Sequence, residues 1–413
     1  MADQRSVDGA GEDPLAELEL ILESDPLIDE VGFIHPTQFA SLHEEEGGVD
    51  APGPKNSRFW SRDRKLGIST EVLLPLYKEA RRAFFDAVRD YRMPCDSGGD
   101  GGDEGIASEV MKHSRALLLV SSDFGTAWNS RKLVASKKES FSTYIDELRL
   151  SELILSYSPK SDQAWSHRRW VIKRIAGQTS SLPGILMKES ELVEKIAERS
   201  KMNYRAWNHR CWLVSYMTRE QVLYELKESK TWAGLHVADS SSFNYRRRLM
   251  TRILEDLCCK DGVSSLDCSF EVYQCWKDEL DWDEILIKRY IGREALWLYR
   301  RFLSLCWIRH FTTHAHSTSC NSNYIEQAMD PSFFLDKELD LVGSCLVVQD
   351  DHFDDFRAQA LYSTTYILWL AKQMPSPLEI ELRQKLTARN MNDLLSEFCP
   401  NSSFLCGSSA EDT

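Results

Sequence analysis

Histidines and cysteines crowd two stretches of this chain, Cys258, Cys259, Cys268 and Cys275, then His310, His314, His316 and Cys320. Thiolate and imidazole are zinc ligands, so metal binding is the first chemistry such groupings suggest. The spacing argues against it. Neither group has the paired two-residue gaps of a zinc module, so these side chains are assigned to core and loop, and no metal is expected in this chain. Two basic runs, Lys137-Lys138 and Tyr245-Arg246-Arg247-Arg248, could meet an acidic partner but read more simply as solvated faces. There is no Gly-rich phosphate loop, nucleophile elbow or paired-carboxylate constellation, so no residue is assigned a catalytic role in the isolated chain.

A different pattern recurs along most of the length: a tryptophan followed three places later by an arginine. The copies are Trp128/Arg131, Trp165/Arg168, Trp207/Arg210 and Trp297/Arg300, with Phe243/Arg246 as a softened copy. Successive anchors are 37, 42, 36 and 54 residues apart. Each gap accommodates two helices but not a self-sufficient domain, so the units must stack. An indole opening a second helix fills the space between neighbouring hairpins. The arginine one turn on is expected to lie over that ring and reach helix-end carbonyls, a structural role.

The elements that position these residues follow from apolar spacing. Tyr144, Leu148, Leu150, Leu153, Ile154 and Tyr157 mark a first helix that Pro159 stops, and Ser161 or Asp162 can cap the next, where Trp165, Arg168, Ile172 and Ile175 share a face. In the following copy Leu192, Val193, Ile196 and Ala197 form the first stripe, Asn203 is the cap, and Trp207, Cys211 and Val214 form the second. The predicted class is all-α, a right-handed alpha-alpha solenoid of helical hairpins with a TPR-like crescent shape and no useful strand. Four regions are expected: 1–60, a flexible acidic segment with a short helix at Leu15, Leu18, Ile21 and Leu22; 61–105, a helix near Thr70 to Tyr91 and a Gly/Asp loop from Pro94 to Gly105; 106–372, the repeats; and 373–413. A sixth hairpin is read at Phe333–Val348 and Phe356–Leu370, His310–Asn323 as turn-like, Leu378–Leu395 as one amphipathic helix, and the tail from Pro400 as disordered.

Composition bounds the function. Of 413 residues 42% are hydrophobic, enough for a large core, and the formal net charge of −14 repels a phosphate backbone, so no nucleic acid is expected. The acidic opening MADQRSVDGAGEDP is unlike an export signal, and Ala116–Val120, the longest aliphatic run, is too short for a transmembrane segment. Eleven cysteines without regular spacing then read as reduced thiols of a cytoplasmic protein. Cys406 is not four from the end, so the chain is no obvious prenyl acceptor.

Met202-Asn203-Tyr204-Arg205-Ala206-Trp207-Asn208-His209-Arg210 resembles Asn-Tyr-x-x-Trp-x-x-Arg, the repeat signature of protein prenyltransferase alpha subunits. Further copies at Asp123–Arg131, Gln163–Arg169, Phe243–Arg246 and Trp297–Arg301 extend the resemblance over about residues 105–310. Pro26–Gly32 and Trp232–Val237 are similar to one branch of that family. The resemblance implies a scaffold embracing a separate beta subunit of the Rab geranylgeranyltransferase type. That partner would hold the zinc, with geranylgeranyl diphosphate as co-substrate and no cofactor in this chain.

By the same resemblance, the reaction is that of a type III protein geranylgeranyltransferase. A zinc-bound cysteine thiolate of a protein acceptor, by analogy a farnesylated SNARE, attacks the isoprenoid and diphosphate leaves. Aligned on Trp165, the family's diphosphate-contacting lysine is Lys160. The family's tyrosine two places on is replaced by Asp162, which is expected to turn away and cap the helix. In the next repeat Tyr204 keeps the aromatic position, and Arg205 stands where the family often has histidine near the diphosphate. Lys160, Tyr204 and Arg205 are therefore the candidate diphosphate contacts. A non-catalytic helical-repeat adaptor is the competing expectation.

Overall fold

A helix that buries one apolar stripe needs a second helix to cover it, and here the helices meet that need in pairs. The computed structural model describes residues 13–39, 58–93, 100–177, 180–258, 266–312, 330–346 and 354–400. The chain divides into two units, Met1–Arg210 and Cys211–Thr413.

In the first unit α1 (Pro14–Ser24) is capped by Asp13, whose carboxylate accepts from the Leu15 amide at 2.9 Å, and it buries Leu15, Leu18 and Leu22. Helices α2 (Leu73–Arg92) and α3 (Asp100–Val120) pack together, followed by α4 (Gly125–Lys138), α5 (Phe141–Tyr157), α6 (Asp162–Ile175), α7 (Leu182–Arg199) and α8 (Tyr204–Leu213), which ends this unit and enters the next. The first helices α3, α5 and α7 contact one another in sequence, and the second helices α4 and α6 form the other layer. Such side-by-side stacking is the helical-repeat arrangement that the spacing predicts.

In the second unit α9 (Arg219–Leu235) pairs with α10 (Ser240–Cys258), α11 (Leu266–Arg289) with α12 (Glu294–His310), and α13 (Pro331–Leu346) with α14 (Asp354–Gln373). Its second helices α10, α12 and α14 again lie side by side. The last pair is the sixth hairpin read from the sequence.

Three sequence expectations give way. The first is the absence of strands: β1 (Glu30–Ile34), β2 (Phe59–Arg62) and β3 (Lys65–Ser69) form a sheet of order β1-β3-β2, with β1 parallel and β2 antiparallel to β3. Its buried apolar side chains are few (Val31, Phe59, Leu66 and Ile68), so the pattern is too brief to read as strand. Asp63 and Arg64, at φ 51° and 64°, make the two-residue turn between β2 and β3, and the Val31 amide donates to Ser156 Oγ on α5 at 3.2 Å. Next, the Gly/Asp stretch is helical from Asp100, although glycine disfavours helix; Pro94–Gly99 lie outside the described residues.

The third is the helix expected over Leu378–Leu395, which is two helices, α15 (Ser376–Ala388) and α16 (Asn392–Phe398). They are separated at Asn390, whose φ of 52° ends the first. The expectations for His314, His316, Cys320, Cys259 and the tail beyond Pro400 fall outside the described residues. Among the described residues no helix is long and apolar enough to cross a membrane.

Candidate functional site

The anchor rings do fill the space between hairpins. Trp128 packs on His167 with ring centroids 4.6 Å apart and Trp165 on His209 at 4.9 Å; in the second unit Phe243 meets Tyr299 at 5.4 Å and Trp297 meets Tyr366 at 5.5 Å. All four anchors are buried, and each indole withdraws about 150–250 Å² from water. Trp128 and Trp165 also donate Nε1–H to the carbonyls of Ser122 and Pro159 at 2.8 and 3.0 Å.

The arginines depart from expectation. Arg210 does lie over Trp207, 5.4 Å from its centroid. Elsewhere the guanidinium grips a glutamate on the first helix of the next hairpin with two hydrogen bonds: Arg131 with Glu147 (3.0 and 2.5 Å), Arg168 with Glu189 (2.7 and 2.6 Å), Arg246 with Glu279 (3.0 and 2.6 Å) and Arg300 with Glu338 (3.0 and 2.6 Å). The planar fork of arginine matches a carboxylate in this way. The carbonyls it reaches lie twenty residues upstream and within helices, not at their ends: Met111, Leu148, Leu226 and Leu280 accept from Arg131, Arg168, Arg246 and Arg300 at 2.6 to 2.8 Å. Ser114, Ser151 and Ser229 accept from the first three at 2.8 to 3.0 Å.

A side chain from the second helix of the next hairpin closes each clasp, and in the first three it directly precedes that helix's arginine. His167 and His209 donate from Nε2 to Glu147 and Glu189 at 2.8 and 2.9 Å, while Tyr299 and Tyr366 donate to Glu279 and Glu338 at 2.7 Å each. Burial would raise the Glu147 and Glu189 carboxyls, but Arg131 and Arg168, joined by the histidines, hold them at about 2. Burial pushes both histidines below their usual value despite the glutamates, so each is a neutral ring. In the second unit Arg300 stays firmly charged because Glu338 outweighs burial. The fourth clasp breaks the pattern: Asp283 stands where the others have serine. It is fully buried, neither of its oxygens has a hydrogen-bond partner, and it lies 3.8 Å from Arg300. Burial raises its carboxyl well above the usual range.

These glutamates were missed in the sequence, although a signal was present. A glutamate stands 21 residues before Arg168, Arg210, Arg246 and Arg300, at Glu147, Glu189, Glu225 and Glu279.

The diphosphate candidates cluster at the N-terminal ends of α6 and α8. Ser161 is the cap of α6, accepting from the Ala164 amide at 3.2 Å and donating to Asp123 at 2.6 Å. Asn203 caps α8 as expected, accepting from Ala206 at 3.2 Å while donating to the Pro159 carbonyl at 2.8 Å. Asp162 is therefore not the cap. It sits in the first turn and forms a two-point ion pair with Arg205, Nη2 to Oδ2 being 2.9 Å and Nε bonding the other oxygen. The Arg205 hydrogen bond draws the Asp162 carboxyl below its ordinary value.

The guanidinium of Arg205 also lies 5.1 Å over the exposed Tyr204 ring. The two places where this chain departs from the family pattern thus meet one another across neighbouring repeats. Lys160 is exposed in the turn before α6, and its ammonium makes no hydrogen bond or ion pair among the described residues.

The repeat described as Protein prenyltransferase alpha subunit repeat matches residues 144–175 and 186–217, which take in α5 with α6 and most of α7 with α8. Protein prenyltransferase alpha subunit repeat-containing protein 1 of Homo sapiens is 31% identical over 238 residues, covering 47% of this chain and 58% of the relative. The Xenopus laevis protein 1-A is 29% identical over 234 residues, 47% of this chain and 54% of the relative. The Danio rerio protein is 29% identical over 280 residues, 53% and 64%. The match therefore spans between about half and two thirds of each relative's length, and the chain carries the prenyltransferase alpha subunit repeat.

Proposed function

We propose that this chain is the alpha-type subunit of a heterodimeric protein geranylgeranyltransferase, a scaffold for a zinc-bearing beta subunit of the Rab geranylgeranyltransferase type. One observation carries the reading: the matched repeat at 144–175 presents an exposed, unpaired lysine, Lys160, at the position where the family contacts the diphosphate. A fixed ammonium there would offset charge growing on the departing diphosphate. Zinc, which the partner would hold, would supply thiolate activation of the acceptor cysteine. This chain's share is to hold Lys160 at the head of α6, with Ser161 fixing the turn.

Arg205 is read as a positioning residue, since Asp162 already takes both edges of its fork. That same neutralisation favours a second reading, a repeat adaptor that binds partners without transfer. Co-expression with a Rab geranylgeranyltransferase beta subunit, followed by labelled geranylgeranyl diphosphate and a farnesylated SNARE acceptor, separates the two. A stable pair that labels the acceptor cysteine is expected. A pair that assembles without transfer would select the adaptor, and failure to assemble would reject the heterodimer.

A further inference from the structure

The second unit contains a groove of about 540 Å³ between α12, the later turns of α14 and the residues after α16. Among the described residues its lining includes Arg301, Leu368, Trp369, Lys372 and Pro400, and no carboxylate. In a chain of net charge −14 this is a local reversal of sign. Arg301 directly follows the clasp arginine Arg300 and points elsewhere: its guanidinium carbon lies 5.4 Å above the Trp369 ring. Among the described residues Arg301 makes no ion pair, and its Nε is buried without a hydrogen-bond partner. Leaving a buried N–H unbonded is unfavourable, and a polar ligand near this guanidinium would offset that cost.

The same step occurs one hairpin earlier. Arg247, which follows Arg246, lies 5.2 Å over Phe302. At the later position open volume adjoins the stacked pair, and a second cation, the exposed Lys372, joins the lining. An arginine guanidinium can bind two oxygens side-on, while Trp369 and Leu368 offer an apolar wall. The size falls within the range of small-ligand sites.

We propose that this groove binds an anion bearing two acceptor oxygens, a carboxylate or a phosphate monoester, attached to an apolar or aromatic body. The anion bridges Arg301 and Lys372, and the body lies along Trp369 and Leu368. Nothing in this proposal depends on prenyl transfer.

The test titrates the full-length chain with phenyl phosphate and, separately, phenylacetate, following arginine side-chain N–H resonances by NMR, with benzyl alcohol as the uncharged control. At least one anion should bind saturably with a dissociation constant on the order of 1 mM, moving a resonance that is absent from Arg301→Lys. Response to phenyl phosphate alone identifies a phosphate site, and to phenylacetate alone or to both a carboxylate-accepting one. Arg301→Lys, which keeps charge but loses the two-point edge, should weaken binding about tenfold, and the surface change Lys372→Gln about threefold. Unchanged melting in both variants separates lost binding from lost fold. No saturable shift with either anion at about 20 mM, equal binding of benzyl alcohol, or full affinity in both variants would overturn the proposal.

Discussion

The two units build the same clasp with different closing groups. In the first, neutral His167 and His209 complete the glutamate's hydrogen bonding; in the second, Tyr299 and Tyr366 do so. The first unit supports its arginines with Ser114 and Ser151, whereas the second substitutes Asp283 at one position. The geometry is held constant while the protonation chemistry is not. Hairpin stacking thus demands two donors on a buried glutamate but is indifferent to their kind, and each unit acquires its own response to pH.

The largest effect should come from breaking a clasp in either unit. Arg168→Met or Arg300→Met leaves a buried glutamate without its counter-charge, at a cost of about 3–5 kcal/mol. Hydrogen exchange in the full chain should show protection falling first in the helices flanking the substitution. If it falls equally in both units, the clasps are not local.

Asp283→Ser sharpens the contrast by restoring the usual residue. A carboxyl whose folded value lies above its unfolded one binds an extra proton in the native state. Its contribution is present below about pH 4 and lost as pH rises toward the folded value. The variant should therefore gain roughly 1–3 kcal/mol in the second unit near pH 8 and little near pH 4, read by exchange protection at the two pH values. Equal gains at both would mean that Asp283 is not titrating.

The histidines have the opposite sign. Their folded values lie below the unfolded value near 6.5, so the unfolded state takes up protons first and stability falls as pH drops through and below that value. Protection in the first unit should decline by up to about 1.4 kcal/mol per pH unit per histidine between pH 6.5 and 5. His167→Tyr should flatten that slope. The smallest effect is expected at Arg205→Ala, which removes a surface ion pair and should leave the melting curve where it was.

Much of this was legible in the chain. The Trp-x-x-Arg spacing placed the second helices, and Pro159, Ser161 and Asn203 marked where they begin. The clasps were not legible from local spacing, because Arg168 and Glu189 lie on different hairpins and only the constant 21-residue offset from each glutamate to a later repeat arginine betrays the acids. The pairing of Asp162 with Arg205 was hidden for the same reason: each looked like an isolated departure, and 43 residues separate them. The sheet escaped notice because its strands are only four or five residues long.

Four repeat arginines face inward onto glutamate and Arg205 is held by Asp162, whereas Lys160 at the head of α6 is an exposed cation without an ion pair among the described residues. The direct test is single-turnover transfer by the assembled pair, comparing Lys160→Ala with Arg205→Ala. The account predicts a rate reduced roughly 100- to 1000-fold for Lys160→Ala, with assembly intact, and a much smaller loss for Arg205→Ala. A full rate in Lys160→Ala, or the larger loss in Arg205→Ala, would contradict it.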